Sequence, residues 1–497
     1  MERAAELPPI AIAPSIGEPC PDAARLPLCV DLDGTLLAID TLPEAAATAC
    51  LHDPRVLLAL PRWLAQGKAR LKHELARRWD FDPALLPYNF FVLDYLQAQK
   101  SRGRKLVLAT AADRQIAQKI ADHLGLFDAV IASDGTHNLK GEAKAAALVE
   151  RFGARGFVYA GNAHSDLAVW REAAAAVIVN APDRVRQAAA SLGPVEAAIE
   201  CATPRWRGII RALRPYQWVK NLLVFVPLVC VAAYRDLGGW EAALASFAAF
   251  SAVASAIYLL NDICDLAADR AHPSKARRPF ASGAVPIALG LALAPLLFVI
   301  GGAFGWLSGA PRALVAYAAL SLGYNIKLKE MPLVDIFVLA ALYSVRLFGG
   351  GEASGYPVSL WLLGFSSFTF LSLALIKRVS ELLRVAEQQR QRPARRGYMT
   401  QDIVMLEMMG CAACFTSALV LTLYVQSDTA SHAYLHPKML WGIVPLMLFW
   451  QCRLWLSTAR GYMLDDPIIY TARDWVSWLV LAGLGALIAL AYAPVMV

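Results

Sequence analysis

Asn261-Asp262-Ile263-Cys264-Asp265-Leu266-Ala267-Ala268-Asp269-Arg270 is the stretch on which the reading of this chain turns. It ends an apolar run, Ala242 to Leu260, long enough to cross a bilayer. Three carboxylates and a carboxamide thus stand where a membrane helix meets its loop. If the helix continues, Asp262, Asp265 and Asp269 fall at i, i+3 and i+7 and share one face. Like charges that close repel, and a shared divalent cation relieves the repulsion. A hard cation such as Mg²⁺ takes oxygen ligands and phosphate. The pattern points to a Mg²⁺–diphosphate site at a membrane surface. A solvated acidic loop is the plainer alternative, although acidic residues near membrane-helix ends are usually functional or paired.

The chain of 497 residues has room for about two to four domains. Hydrophobic residues make up 57% of it, against roughly 45–50% in globular proteins. The excess lies in residues 215–495, whereas residues 1–205 read as an ordinary soluble domain. The net charge of +7 comes without a Lys/Arg-rich aromatic patch, which argues against nucleic acid. It fits basic cytoplasmic loops facing anionic lipid. The nine cysteines form no disulfide framework. Cys411 and Cys414 read as small core residues of an apolar helix, and a reducing cytoplasm suits the soluble half. Residues 1–27 read as a flexible tail, its apolar patch from Pro8 to Pro14 too short for a signal peptide.

Leu28-Cys29-Val30-Asp31-Leu32-Asp33-Gly34-Thr35 is a buried-strand pattern ending in D-x-D-G-T. At the carboxyl end of a parallel strand, it places Asp31 and Asp33 in the crevice where α/β sheets bind ligands. Asp31 can attack phosphorus as a nucleophile. Asp33 can protonate the leaving group and later activate water. The motif closely resembles the haloacid dehalogenase (HAD) phosphatase superfamily, which implies a Rossmann-like α/β domain over residues 28–200. Three later stretches match that family in order. Thr110, ending Lys105–Thr110, matches its phosphate-binding hydroxyl. Lys144, in Gly141–Lys144, matches the lysine that steadies the phosphate. Asp166, closing Gly156–Asp166, matches a Mg²⁺ ligand. The resemblance extends metal binding to Asp31, Asp33 and Asn162, the last standing where the family often has Asp. Residues 36–104 resemble the family's small helical cap, which would set the substrate. The basic residues there, such as Arg62, Arg70 and Lys72, either meet an anionic substrate or line solvated helix faces. His164 reads as an incidental loop residue. Ala173 to Asn180 suggests the last strand.

After a basic linker at 201–216, apolar runs fall at roughly 217–234, 241–261, 285–306, 311–326, 332–350, 358–377, 403–425, 439–456 and 474–495. They predict an all-α bundle of about nine transmembrane helices. Lys and Arg gather after the even-numbered spans, from Arg270 to Arg278, at Lys327 and Lys329, from Lys377 to Arg396, and at Arg460 and Arg473. By the positive-inside rule, the soluble domain and these loops are cytoplasmic and the C-terminus lies outside. Asn261–Asp269 then faces the side where soluble phosphorylated metabolites are. Asp335 lies just inside span five, with Arg346 eleven residues further on along the same face. Both mark function or an internal ion pair. Lys377 and Arg378 end span six, where either could bind phosphate or serve as an anchor. Arg390–Arg396 reads as a lipid-headgroup anchor.

Residues 205–495, with N-D-x-x-D-x-x-x-D after the second span, resemble the UbiA superfamily of intramembrane prenyltransferases. That resemblance implies Mg²⁺ on Asp262, Asp265 and Asp269 at an inner-membrane, multi-pass enzyme, with Asn261 beside the diphosphate and Asp269 either completing the site or pairing with Arg270. The family's second Asp-rich motif is missing. In its place stand Tyr324-Asn325-Ile326-Lys327-Leu328-Lys329 and a single Asp335. With Gln217-Trp218-Val219-Lys220-Asn221 and Lys377-Arg378-Val379-Ser380-Glu381, this resembles the decaprenyl-phosphate phosphoribosyltransferase branch. The diphosphate there belongs to phosphoribosyl pyrophosphate (PRPP), and the acceptor is a polyprenyl phosphate. Tyr324, Lys327, Lys329, Asp335, Arg346, Lys377, Arg378, Glu381 and Tyr398 become candidate substrate contacts. The implied function is transfer of 5-phosphoribose to the lipid, then removal of the 5-phosphate by the HAD half, for cell-wall or glycolipid precursors. Two alternatives stand beside it: prenylation of an aromatic acceptor, and a HAD half that senses phosphate without catalysis. The sequence leaves oligomeric state open.

Overall fold

A computed structural model describes residues 12–13, 25–200, 205–231, 233–387, 397–463 and 466–492. The expected tail and the Arg390–Arg396 anchor lie largely or wholly outside the described residues. The chain divides into two compact units. One takes Met1–Ala212 with Leu259–Ala292, and the other takes Leu213–Tyr258 with Leu293–Val497. The Asp-rich stretch therefore belongs to the first unit.

That unit is built on a sheet of seven strands: β1 (Ile12–Ala13), β2 (Leu28–Val30), β3 (Leu106–Asp113), β4 (Ala129–Ser133), β5 (Val158–Gly161), β6 (Ala175–Val179) and β7 (Val195–Ile199). Their order is β1-β7-β6-β5-β2-β3-β4. Only β1 runs antiparallel to its neighbour; the other pairings are parallel. Leu28, Cys29 and Val30 are all buried, as a central parallel strand covered on both faces requires. Side chains alternate across the sheet. Leu28 and Val30 join one core with Leu106, Leu108 and Val158, while Cys29 joins the other with Val107 and Tyr159. The chain leaves β2 toward β3 on one side and β5 on the other, so Asp31 emerges at the switch in strand order, where a crevice opens. Helices Thr41–His52, Val56–Ala65, Lys68–Ala76 and Phe90–Ser101 lie between β2 and β3 in the chain. One expectation is corrected: Ala175–Val179 is not the last strand. Val195–Ile199 follows, burying Val195, Ala197 and Ile199 in alternation.

Among the described residues, seven helices are long and apolar enough to cross a membrane: Leu237–Cys264, Ile287–Leu307, Val334–Ser354, Leu360–Glu387, Thr400–Val425, Pro437–Ala459 and Trp475–Tyr492. Two of the nine expected spans differ. Residues 217–230 of the first fall within a 3₁₀ segment, Pro215–Phe225, and a short helix, Val226–Cys230, with a proline in the first turn of each. Helix Pro311–Ile326 has 16 residues, about 24 Å of rise against a hydrocarbon core of about 30 Å. In the second unit, helix Val334–Ser354 lies very close to the 3₁₀ segment. A Cβ on Gly350 would stand 1.9 Å from the Val224 carbonyl oxygen, so this position has room only for hydrogen.

Candidate functional site

At the end of β2 the Asp31 carboxylate accepts a 2.9 Å bond from Lys144 Nζ, which helix Glu142–Phe152 delivers. Lys144 also donates to the Tyr159 hydroxyl at 2.7 Å, and that hydroxyl donates to Asp166 Oδ1 at 3.1 Å. Asp166 Oδ2 accepts from the backbone N–H groups of Asn162 and Ala163, at 3.0 and 2.9 Å. Both Asp166 oxygens thus help to hold the loop, and Oδ1, with one bond accepted, keeps a lone pair toward the site. Asn162 reaches the turn after Asp31. Gly34 sits at φ +72°, and a Cβ there would lie 2.1 Å from Asn162 Nδ2. Asp33 accepts from the Thr41 N–H at 2.9 Å and from its hydroxyl at 3.3 Å. Thr110 is buried within β3, three residues before its end, accepting from the Ala112 N–H at 3.0 Å. Lys72, from helix Lys68–Ala76, donates to the Ala111 carbonyl at 2.5 Å and to Asn138 at 2.8 Å, which brings a cap cation to the same strand end. Burial pushes the Asp31 carboxyl up to about 7 against the pull of Lys144, and pushes Asp33 up to about 6. The oxygens of Asp31 and Asn162 are hard donors of the kind Mg²⁺ accepts, with less charge than two carboxylates would offer.

The Asp-rich stretch does not continue as one helix. Leu237–Cys264 ends, Asp265 bends the chain at φ −93° and ψ 10°, and Leu266–Arg270 follows. Backbone bonds from Asp265 to Asn261 and from Asp269 to Asp265, at 2.9 and 2.8 Å, carry helical spacing through the bend. Asp262 and Asp269 consequently converge. Both accept from Arg278 Nη1, at 3.1 and 2.7 Å, and both are buried. Asn261 and Asp265 are half-buried beside them. The expected Asp269–Arg270 pair is absent. Arg270 turns instead to the Ala281 carbonyl and to Glu44. Among the described residues no group of three His, Cys, Asp or Glu side chains could hold a metal by itself. Two carboxylates meeting at one cation nevertheless suit Mg²⁺, which commonly takes one or two carboxylates and completes its shell with water and substrate phosphate.

The second unit has two polar clusters. In one, Asp466 accepts from Lys220 at 2.6 Å and pairs with Lys377 at 3.2 Å. In the other, Asp335 accepts from Tyr398 at 2.6 Å and from Arg378, which also donates to Glu381. Asp335 and Arg378 have no exposed side-chain surface. Arg346 does not pair with Asp335. It donates to Asn221 at 2.7 Å and to Tyr317 at 3.1 Å, with its guanidinium 4.6 Å from the Tyr317 ring centroid. Tyr324 is half-buried, Lys327 is exposed and pairs with Glu330 at 3.2 Å, and Lys329 is buried.

Residues 28–171 match the model of haloacid dehalogenase-like hydrolases, and residues 222–466 match the UbiA prenyltransferase family. A protein of Sinorhizobium fredii, y4nM, is 35% identical over 481 residues, covering 95% of this chain and 91% of its own. The C-terminal part of the chain is a UbiA prenyltransferase family domain. A HAD-like domain precedes it, and with seven apolar helices the chain is a multi-pass membrane protein. The nodulation protein NoeC of Azorhizobium caulinodans is 34% identical over 275 residues, which span 55% of this chain and 89% of NoeC. The decaprenyl-phosphate phosphoribosyltransferase of Mycolicibacterium smegmatis is 39% identical over 183 residues, 35% of this chain and 57% of that enzyme.

Several residues that build the polar clusters around the Asp-rich stretch and in the second unit carry no site signal in the sequence. Lys220 and Asn221 lie in a stretch noticed only for its resemblance. Asp466, in Asp465-Asp466-Pro467, looks like a helix-capping acid, and it does accept from the Ile468 N–H. Its second role depends on two lysines 246 and 89 positions earlier. Arg278 reads as a topology marker, yet it closes the Asp-rich segment.

Proposed function

We propose that the UbiA half transfers 5-phosphoribose from PRPP to a polyprenyl phosphate, releasing pyrophosphate, and that the HAD half then removes the 5-phosphate. The observation that carries this reading is the state of Asp335. It is a single carboxylate tied to Arg378 and Tyr398, where a second aspartate-rich motif would bring several carboxylates to a second metal. That supports a donor with one diphosphate at the cytoplasmic face and an acceptor held by basic groups. The relationship to decaprenyl-phosphate phosphoribosyltransferases points the same way.

Asp262, Asp265 and Asp269 would hold Mg²⁺, which supplies charge neutralisation for the departing pyrophosphate. Asn261 lies next to them to orient the diphosphate. A lipid phosphate oxygen attacks C1 of the ribose as the C1–pyrophosphate bond breaks, and no strong base is needed. Tyr324, Lys327, Lys329 and Lys377, with Arg346, Arg378 and Glu381 behind them, are the groups assigned to the two phosphates. In the HAD half, Asp31 attacks the 5-phosphate and Asp33 protonates the ribose oxygen as it leaves. Asp33 then takes a proton from the water that hydrolyses the aspartyl phosphate. Lys144 and Thr110 bind the phosphate oxygens, and Mg²⁺ held near Asp31 and Asn162 would offset their charge. The enzyme sits in the inner membrane with both sites cytoplasmic and the C-terminus outside.

Purified protein in detergent, given labelled PRPP, polyprenyl phosphate and Mg²⁺, should form a labelled lipid. Asp262→Ala should abolish the label, and Asp31→Asn should leave the lipid 5-phosphorylated. The family description, a prenyltransferase, favours a second reading in which a prenyl group is what moves, and an aromatic ring would be its acceptor. Turnover of a prenyl diphosphate and an aromatic acid, with no product from PRPP, would replace the first reading with the second.

A further inference from the structure

Glu44 and Arg270 are 226 positions apart, one in the first helix after the HAD nucleophile and the other at the end of the Asp-rich stretch. They meet inside one compact unit. Arg270 donates from Nη1 to Glu44 Oε2 at 2.8 Å and from Nη2 to Oε1 at 2.5 Å, a two-pronged pair. Its Nε donates to the Ala281 carbonyl at 3.1 Å. The side chains are 8% and 2% exposed. Charges this well removed from water are stable only together, and losing one partner leaves the other uncompensated. The contact continues beside them. Gly283 sits at φ +76°, and a Cβ there would stand 2.9 Å from both the Cβ and the carbonyl oxygen of Ala38.

Each partner is one step from a reacting group. Glu44 lies on the first turn of helix Thr41–His52, whose Thr41 holds both oxygens of Asp33. Arg270 follows Asp269, which shares Arg278 with Asp262. A shift of Arg270 therefore moves the Asp-rich segment, and the same shift, passed through Glu44, moves the helix that orients Asp33. Neither residue reaches a substrate.

We infer that Glu44 and Arg270 are positioning residues that couple the phosphatase site to the diphosphate site, each being needed for the geometry of the other's reaction. This inference rests on the proposed two-step function for its substrates, and on geometry alone for the coupling. Coupling is reciprocal between sites, so the test is a crossed one on the full-length protein in detergent. Glu44→Gln, a change in the phosphatase domain, should raise KM for PRPP in the transfer assay by about tenfold with a smaller effect on kcat. Arg270→Gln, a change in the transferase motif, should lower kcat for a small aryl phosphate at the HAD site by about tenfold. Glu44→Asp and Arg270→Lys retain the charges and should recover part of each loss, and they keep the test open if a neutral variant does not fold. Variants that melt earlier but show wild-type KM and kcat in both crossed assays would make the pair a structural staple only and overturn the inference. If wild-type protein transfers nothing from PRPP, the proposed function fails, while the effect of Arg270→Gln on aryl phosphate still decides the coupling.

Discussion

Asp31 is held in a place that resists its ionisation. Burial pushes its carboxyl up to about 7, with Lys144 opposing. A carboxyl whose pKa is raised by folding binds more protons in the folded than in the unfolded state. Its contribution therefore makes stability fall as pH rises from about 4 toward 7. Melting curves of metal-free protein should show that slope, and Asp31→Asn should flatten it. Equal slopes in the two proteins would mean that Asp31 is already ionised throughout. Asp335 and Arg378 offer a sharper test at the same scale. Arg378→Ala strands a buried carboxylate and should cost about 3–5 kcal/mol. Adding Asp335→Ala should restore part of that loss in a thermal unfolding assay, because the fully buried carboxylate is then removed as well.

Elements are fixed by close approaches that a single methyl group would block. Gly350→Ala places a Cβ against the Val224 carbonyl, backbone against backbone. It should separate helix Val334–Ser354 from the 3₁₀ segment at a cost of about 1–3 kcal/mol, read as earlier aggregation on heating in detergent. The same 3₁₀ segment carries Lys220 and Asn221, so a fall in transfer rate should accompany the lost stability. At this scale the sequence was a good guide wherever a signal is local. D-x-D-G-T sits at a strand end, and the strands and apolar helices lie close to where their patterns place them. Val195–Ile199 was missed because small residues dilute its alternation. Residues 217–234 read as a span on apolar composition alone, which does not register that Pro227 opens a separate short helix after the 3₁₀ segment.

Across the whole molecule, the sequence reading separated a soluble half from a membrane half at a basic linker. The described structure instead gathers Leu259–Ala292 with the soluble domain. Charged residues were legible as charges but not as pairs. Arg278 was read as a topology signal and Arg270 as a partner for Asp269, because only the fold brings Glu44 to Arg270 and Asp466 to Lys220. Splitting the chain at the linker is therefore costly. Residues 205–497 expressed alone would carry Arg270 without Glu44. They should solubilise in lower yield and bind PRPP more weakly than the full chain, with recovery when residues 1–204 are co-expressed. Equal yield and affinity for the fragment would show that the membrane half stands alone.

The Glu44–Arg270 contact also bears on descent. A fused gene can lose its first half by a single deletion, but here that deletion would orphan a desolvated guanidinium in the second. Lineages carrying the UbiA domain alone should have changed Arg270 or supplied another carboxylate to meet it. Lineages keeping both halves should gain or lose acid and base together. The pairing of positions 44 and 270 across such genes would then record which fusions still work as one machine.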